Sequence, residues 1–492
     1  MAFGPPPSPF TQSQQAAAEQ RRRRSRTLAG LVLAVVVALG AGAWLVWPGS
    51  GKDAGPDITE QKAVAQAPDD IRESVEDLPK STPRAGHLVA DVQTNTLGQG
   101  QEEETPGLWV TKKALVKVKG TTLYGLKGYE PSGKGTVVWS LKLPGAVCGY
   151  TPAITVDERT ALLLRDPKHG NTCDQLAVIK LSSGKKLWQT AIPRKENFFT
   201  KGTTMVMTKG VIATDWQVGA AGYDMRTGKK LWQLNRTKKC TIGGFAGGKA
   251  LMVRYDCYPS EKDAEILYRV KELEPSTART KWTYRVADGV GLVSVVSSKP
   301  AVLAVGAGDM AATDLISLDS RGKYRATIRL EGGHYEVACS GDGVDDCTQA
   351  VVSDDQVFIT SGEKLESLDD QTNWVVAFDL ATGKSGVKFE AGHDQKMYPL
   401  RMSGDRVLAL KQGTDEVAPV SLVSLDPKTG KQATYFYFGI PPGAEGFFSR
   451  IDPRGVQVEH GRVYFGVPSV TGEEKNGMPT LIRMAFGVGP VG

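Results

Sequence analysis

The chain of 492 residues has five histidines and six cysteines, and neither set is arranged for chemistry. His87, His169, His334, His393 and His460 are dispersed without metal or catalytic spacing, so each reads as a loop or surface residue. There is no C-x-x-C and no histidine cluster beside the cysteines, whereas a structural zinc site needs four ligands converging at tight spacing. Gly-x-Ser-x-Gly and His-Glu-x-x-His are absent too, which removes the usual hydrolase and zinc-protease signatures. Cationic excess is also missing from the body. The formal charge is +6, but residues 1–26 hold five arginines and one glutamate, leaving +2 for everything after them. A near-neutral body without a basic stripe excludes nucleic acid as a partner.

Long apolar runs are scarce, and the one present is placed informatively. Thr27 to Trp47 carries no charge and directly follows Arg21 to Arg26. At 1.5 Å per residue those residues span roughly 30 Å, the thickness of a bilayer's hydrocarbon core. Trp44 and Trp47 lie where an interfacial aromatic belt is expected, and Pro48-Gly49 closes the helix. The positive-inside rule puts the arginines in the cytoplasm and all that follows Trp47 outside. Ala41-Gly42-Ala43 has the form of a signal-peptidase site, but the run exceeds a signal peptide's ~7–15-residue core, which favours an uncleaved signal anchor.

The cysteines agree with an oxidising compartment. Cys148 and Cys173, Cys240 and Cys257, and Cys339 and Cys347 are close in sequence pairwise and far from one another. Fifteen connectivities are open to six cysteines, and the clustering favours pairing in sequence order as three structural disulfides.

Composition divides the chain into four parts. Residues 1–26 are a disordered Pro/Gln-rich head with a polybasic end, and 27–47 are the transmembrane helix. Residues 48–106 are a polar linker with one weak helical stretch near Ile71 to Leu78, and 107–489 are a repeat body. In that body, runs such as Val206 to Ala213, Ala301 to Val305 and Val407 to Leu410 are bounded by Gly, Asp, Pro and Ser. They read as strands, so the body is all-β.

One phrase recurs between them. It is fullest at Asp224-Met-Arg-Thr227-Gly228-Lys-Lys-Leu-Trp232 and is repeated at Gly184 to Trp188. Looser copies start at Asp319, at Asp379 (with Gly383) and at Asp426 (with Gly430). The Asp caps its own turn, the Gly supplies φ > 0, the following lysines are solvated, and the Trp wedges between neighbouring sheets. Trp139, Trp188, Trp232 and Trp282 take that role, which later passes to other residues, as at Val387. Repeats of this length predict a single β-propeller of eight four-stranded antiparallel blades, with seven as the alternative. Units start near Leu108, Thr151, Thr204, Gly244, Leu292, Thr348, Met397 and Arg454. The first lacks a leading strand and the last lacks its turn-and-Trp strand, so closure by strands from both termini is expected.

The spacing Asp224, Thr227, Gly228, Trp232 resembles the tryptophan-docking motif of pyrroloquinoline-quinone-type (PQQ-like) propeller repeats, over about residues 107–487. The resemblance implies an eight-bladed propeller and a family spanning quinoprotein dehydrogenases, outer-membrane assembly scaffolds and sensor ectodomains. The head, single helix and secreted propeller look like anchored repeat proteins of high-GC Gram-positive bacteria. Quinoprotein dehydrogenases carry a vicinal disulfide over the cofactor, and this chain has no Cys-Cys. No cofactor, metal or catalytic residue is therefore expected.

Two further motifs resolve to turns. Gly128 to Gly135 nearly spells a phosphate-binding loop but lies between strands, and Thr382-Gly383-Lys384-Ser385 fails likewise, since that loop must lead into a helix. Asp342 to Asp346, enclosed by Cys339 and Cys347, reads as a solvated loop ahead of a weak calcium site. The expected function is a non-enzymatic, membrane-anchored extracytoplasmic module. Its partners are the bilayer, through residues 27–47, and a protein, peptide or cell-envelope ligand. The alternatives are a quinone-dependent dehydrogenase and a sensor partner of a membrane kinase.

Overall fold

From Arg84 to Pro490 strand follows strand, and the short helix Gly446–Ser449 and the 3-10 turn Pro453–Gly455 are the helical elements among the described residues. The computed structural model describes residues 66–79, 83–127, 136–168, 172–193, 203–216, 218–259, 265–308, 311–330, 334–339, 344–362, 372–414, 418–449, 453–475 and 478–490. The arginine tract, the apolar run 27–47 and the loop 128–135 lie outside them. Two units divide the chain: Met1–Gln66 with Ala287–Gly289, and Ala67–Val286 with Val290–Gly492. The second contains every sheet. Among the described residues no helix is long and apolar enough to cross a membrane.

Eight sets of four strands succeed one another along the chain, the sixth carrying an additional two-residue strand, Tyr335–Glu336. Their first strands are Leu108–Val110, Val147–Tyr150, Thr204–Thr208, Cys240–Ala246, Leu292–Ser298, Ala350–Val352, Gln395–Ser403 and Val456–Glu459. Hydrophobic clusters straddle successive blades. Trp109 and Val118 of blade one pack with Leu162 and Ile179 of blade two. Similar clusters join blades two to three, three to four, five to six, six to seven and seven to eight. Between blades four and five, Arg254 Nη1 donates to Val293 O at 2.6 Å and Tyr268 Oη to Gly291 O at 2.8 Å. The circle closes where Leu108 and Leu115 of blade one meet Tyr464 and Ala485 of blade eight.

Closure joins strands from the two sides of the repeat body, as expected, but differs in detail. Blade one keeps a leading strand, the three-residue Leu108–Val110 at which the unit starts, so it is complete and needs none from elsewhere. Blade eight is Val456–Glu459, Arg462–Gly466 and Ile482–Pro490, and its fourth strand is Arg84–Thr94, from the stretch that composition assigns to a linker. That strand pairs antiparallel with Ile482–Pro490, from Gly86↔Pro490 to Thr94↔Ile482. Asp91 receives Arg483 Nε at 2.8 Å and Nη2 at 2.9 Å, a largely buried two-pronged bond that pins the register. At its start the strand also pairs in parallel with blade seven's outer strand, Arg84↔Phe436.

The repeated phrase works as a lock between blades. Asp224 Oδ1 accepts from the Thr227 amide at 2.8 Å and its hydroxyl at 2.7 Å, and Asp379 caps its turn from Thr382 in the same way. The glycine then serves twice. Gly228 holds φ +73, and a Cβ there would stand 2.7 Å from Trp188 of the preceding blade. Gly184 and Gly322 face Trp139 and Trp282 similarly, with a Cβ 2.3 Å and 2.4 Å away. Trp188 Nε1 donates to Met225 O at 2.8 Å and Trp232 Nε1 to Pro275 O at 2.7 Å, each in the next blade's turn. The second bond exposes a copy that the sequence reading passes over, Glu274-Pro-Ser-Thr277-Ala278, in which Ala278 takes the glycine's place at φ 56. Beyond blade five the wedge shrinks. Gly383 faces Ala326 and the Thr327 carbonyl, and Gly430 faces Val387.

All three disulfides form in sequence order, Cys148–Cys173, Cys240–Cys257 and Cys339–Cys347. Closing the 25-residue loop of the first contributes about 3 kcal/mol on chain-entropy grounds.

The lock yields a paired expectation. Gly228→Ala meets both an unfavourable backbone and Trp188, and should cost about 2–3 kcal/mol in urea unfolding. Ala278→Gly relieves a left-handed alanine and should change stability by no more than about 1 kcal/mol, upward. Equal losses in the two variants would contradict the lock.

Candidate functional site

Because every first strand runs the same way along the ring, each blade presents its first-to-second loop and its third-to-fourth turn at one end. The repeated phrase therefore sits at that end, called the turn end here. The three disulfides lie toward the other.

Inside the ring is a cavity of about 1180 Å³ lined by residues of blades one to six and eight and by the short helix that follows blade seven. Its walls mix apolar strand residues, such as Val147, Val295 and Phe465, with Arg165, Lys249, Lys299 and Arg454 and with Glu102, Glu104, Asp345 and Asp346. Arg454 and Asp346 approach to 3.5 Å. The disulfide-closed loop is not simply solvated as expected. Val344 is buried and its carbonyl accepts from Val295 N at 2.6 Å, which carries Asp345 into the cavity. Enclosure there, with Asp346 beside it, pushes the Asp345 carboxyl up to about 7. The residue as a whole stays exposed to cavity water, which moderates the effect.

Lys117 is a different case. Its Nζ is buried and donates to Thr105 O, to Gly107 O at 3.0 Å and to Val467 O at 2.7 Å. Three acceptors match the three donors of an ammonium and tie blade one to blade eight, although burial pushes the amine down to about 7. Lys117 is thus a closure residue on the cavity wall.

The turn end is crossed by the chain itself. Residues 67–77, part of the expected linker, are extended rather than helical. Asp69 O accepts from Gly210 N at 3.0 Å in blade three, and its carboxylate meets Arg159 of blade two. Ile71 bridges Thr155. Arg72 Nη2 reaches Val110 O of blade one at 2.9 Å and Glu459 of blade eight at 2.8 Å. Glu73 pairs with Lys249 of blade four at 3.2 Å. Glu76 is buried against Arg401 Nη2 at 3.0 Å and Gly461 N at 2.6 Å, in blades seven and eight. One short strap thus holds six blades. A helix would bring these side chains to one or two faces, and an extended chain lets each reach its own blade.

Of the residues singled out from sequence, the cysteines, Asp224, Thr227, Gly228, Trp232, Gly184, Trp188, Trp139, Trp282, Asp379, Gly383, Asp426 and Gly430 all sit in blades or turns, outside the cavity apart from Cys148 and Cys347. The described histidines His87, His334, His393 and His460 are exposed. The segment Thr382 to Ser385 is a strand-to-strand turn. Among the described residues no three His, Cys, Asp or Glu side chains converge in a metal-holding group. The cavity residues were missed because they come from points of the blades that share no motif.

Two outcomes follow. Glu76→Ala leaves Arg401 without its carboxylate and should cost about 2–3 kcal/mol, with faster hydrogen exchange over residues 67–77. Exchange unchanged there would contradict the strap. Asp345, with its folded value raised above the unfolded one, binds a proton more readily when folded, so stability falls as pH rises from about 4 to about 7. Asp345→Asn should flatten that fall in thermal melts. A parent-like slope in the variant would exclude Asp345 as its source.

The profile of a family described as outer membrane protein assembly factor BamB matches residues 112–242, blades one to three and the start of four. There the repeated phrase is best kept, in line with a PQQ-like β-propeller. No curated protein matches the chain. Solved structures of similar arrangement include BamB from Moraxella catarrhalis, 14% identical over 80% of this chain and 99% of that one, with a TM-score of 0.38. A europium-containing methanol dehydrogenase is 12% identical over 78% and 85%, at 0.40. The quinohemoprotein alcohol dehydrogenase ADHIIG from Pseudomonas putida HK5 is 10% identical over 81% and 77%, at 0.42. At these scores the likenesses decide nothing about activity, and the fold rests on the sheets themselves.

Proposed function

We propose that this chain is a membrane-anchored, extracytoplasmic β-propeller acting as a non-enzymatic binding or scaffold module for a protein, peptide or cell-envelope ligand. The observation that carries the reading is the cavity of about 1180 Å³, built from seven of the eight blades, with the strap laid across one end of the ring. A ligand then approaches from the disulfide end, where the loops are stiffened covalently. Three disulfides fit an oxidising compartment. The arginine tract and the uncharged run 27–47 supply the anchor and its orientation. The match of residues 112–242 to an assembly-factor profile is in keeping with a scaffold role.

The test is photo-crosslinking in native membranes with a reactive side chain at Arg165 or Lys299, on the cavity wall, and at Gln432 on an outer strand. One defined envelope component should be captured from the cavity positions and not from Gln432. Turnover of an alcohol or sugar by the purified chain supplied with pyrroloquinoline quinone and calcium would overturn the reading.

A further inference from the structure

The ring's charge is distributed unevenly along its axis. The six described turns of the repeated phrase, residues 182–186, 224–230, 274–281, 319–323, 379–384 and 426–431, hold twelve lysines and arginines against five acidic residues. Outside them and the first 26 residues the rest of the chain is net acidic, since the total is only +6. The topology collects all these turns at one end. Their acidic members are occupied as caps, as in Asp224, Asp379 and Asp426. Lys281 and Lys428 have carboxylate partners. By contrast Lys186 and Lys230 donate to the neutral Gln189 and Gln233 and keep their charge. Of the strap's five acids, Asp69, Glu73 and Glu76 are paired with Arg159, Lys249 and Arg401 and Asp70 accepts from the Ala67 amide, so that exposed Asp77 offsets only one of the basic charges.

Exposed apolar side chains share this end. Leu187 and Leu231 follow directly on Lys185-Lys186 and Lys229-Lys230, Val138 holds the same position in blade one, and Val75 projects from the strap at 66% exposure. Blades two and three are also where Pro68 and Asp69, the first residues of the strap, are fastened, through Asp157 N and Gly210 N. The chain therefore enters the ring beside its most basic and most apolar rim.

We propose that the turn end is a docking face for an anionic lipid surface, with the Lys-Lys-Leu turns of blades two and three at its centre. Lysines alone would suit any polyanion. Lysines interleaved with exposed leucine and valine suit a headgroup layer, which offers negative charge above an apolar boundary. The inference rests on the anchored reading, which brings a bilayer within reach of this end.

The full chain is placed in nanodiscs of phosphatidylcholine alone or with phosphatidylglycerol, carrying a nitroxide at Leu187→Cys or, at the disulfide end, at Tyr258→Cys. Accessibility to oxygen and to a water-soluble nickel complex reports lipid contact. The Leu187 label should turn lipid-accessible only with phosphatidylglycerol, while the Tyr258 label stays aqueous. Replacing Lys185, Lys186, Lys229 and Lys230 by Gln should weaken docking about fivefold per lysine, with an unchanged melting temperature. Labels equally aqueous in both lipids, or a Leu187 signal unaffected by the lysine changes, would overturn the docking face while leaving the anchor intact. Signal lost to a soluble acidic polymer rather than gained from lipid would do the same. A chain that never enters the discs would sink the anchor and this proposal together.

Discussion

The pairing of Arg84–Thr94 with Ile482–Pro490 is the constraint on which the remaining structure depends. A sheet array that ends in open edges leaves unpaired amides and carbonyls at its margins. Here the far ends of the chain share one blade, and Asp91 with Arg483 fixes their register within it. Lys117 reinforces the same seam from blade one, bonded to Thr105 O and Gly107 O on one side of it and to Val467 O on the other. Once the ring is sealed, the first strands of seven blades line the cavity. The strap adds bonds to six blades at one end.

Between blades the work passes to a simpler device. A tryptophan needs a flat, Cβ-free partner, and the turn's glycine, already required for positive φ, provides it. The two demands coincide at one position, so the phrase stays together as a phrase. It loosens after blade five, where Ala326 and Val387 replace the wedge and the cores between blades six, seven and eight grow richer in aliphatic and phenylalanine packing.

This explains what could be read from sequence. The all-β body, the blade starts and the disulfide partners were legible because each follows from local spacing. The closing strand was not, although Arg84–Thr94 alternates apolar Leu88, Ala90 and Val92 with His87 and Asp91. Its polar surroundings outweighed that short alternation. The strap gave no local signal, since Arg72 and Glu76 acquire meaning from partners hundreds of residues away and Asp69 from Arg159, 90 residues on. The blade-four turn hid behind two conservative changes, Glu274 for Asp and Ala278 for Gly. Cavity residues such as Arg165 and Lys299 belong to no motif, and only the ring brings them together.

Hydrogen exchange on the intact chain tests closure most directly. A ring sealed by Arg84–Thr94 predicts that the amides of this strand are protected as deeply as those of Ile482–Pro490, and that the two segments open together as denaturant is raised. Exchange of Arg84–Thr94 at the rate of an unstructured linker, beside a protected C-terminal strand, would contradict it.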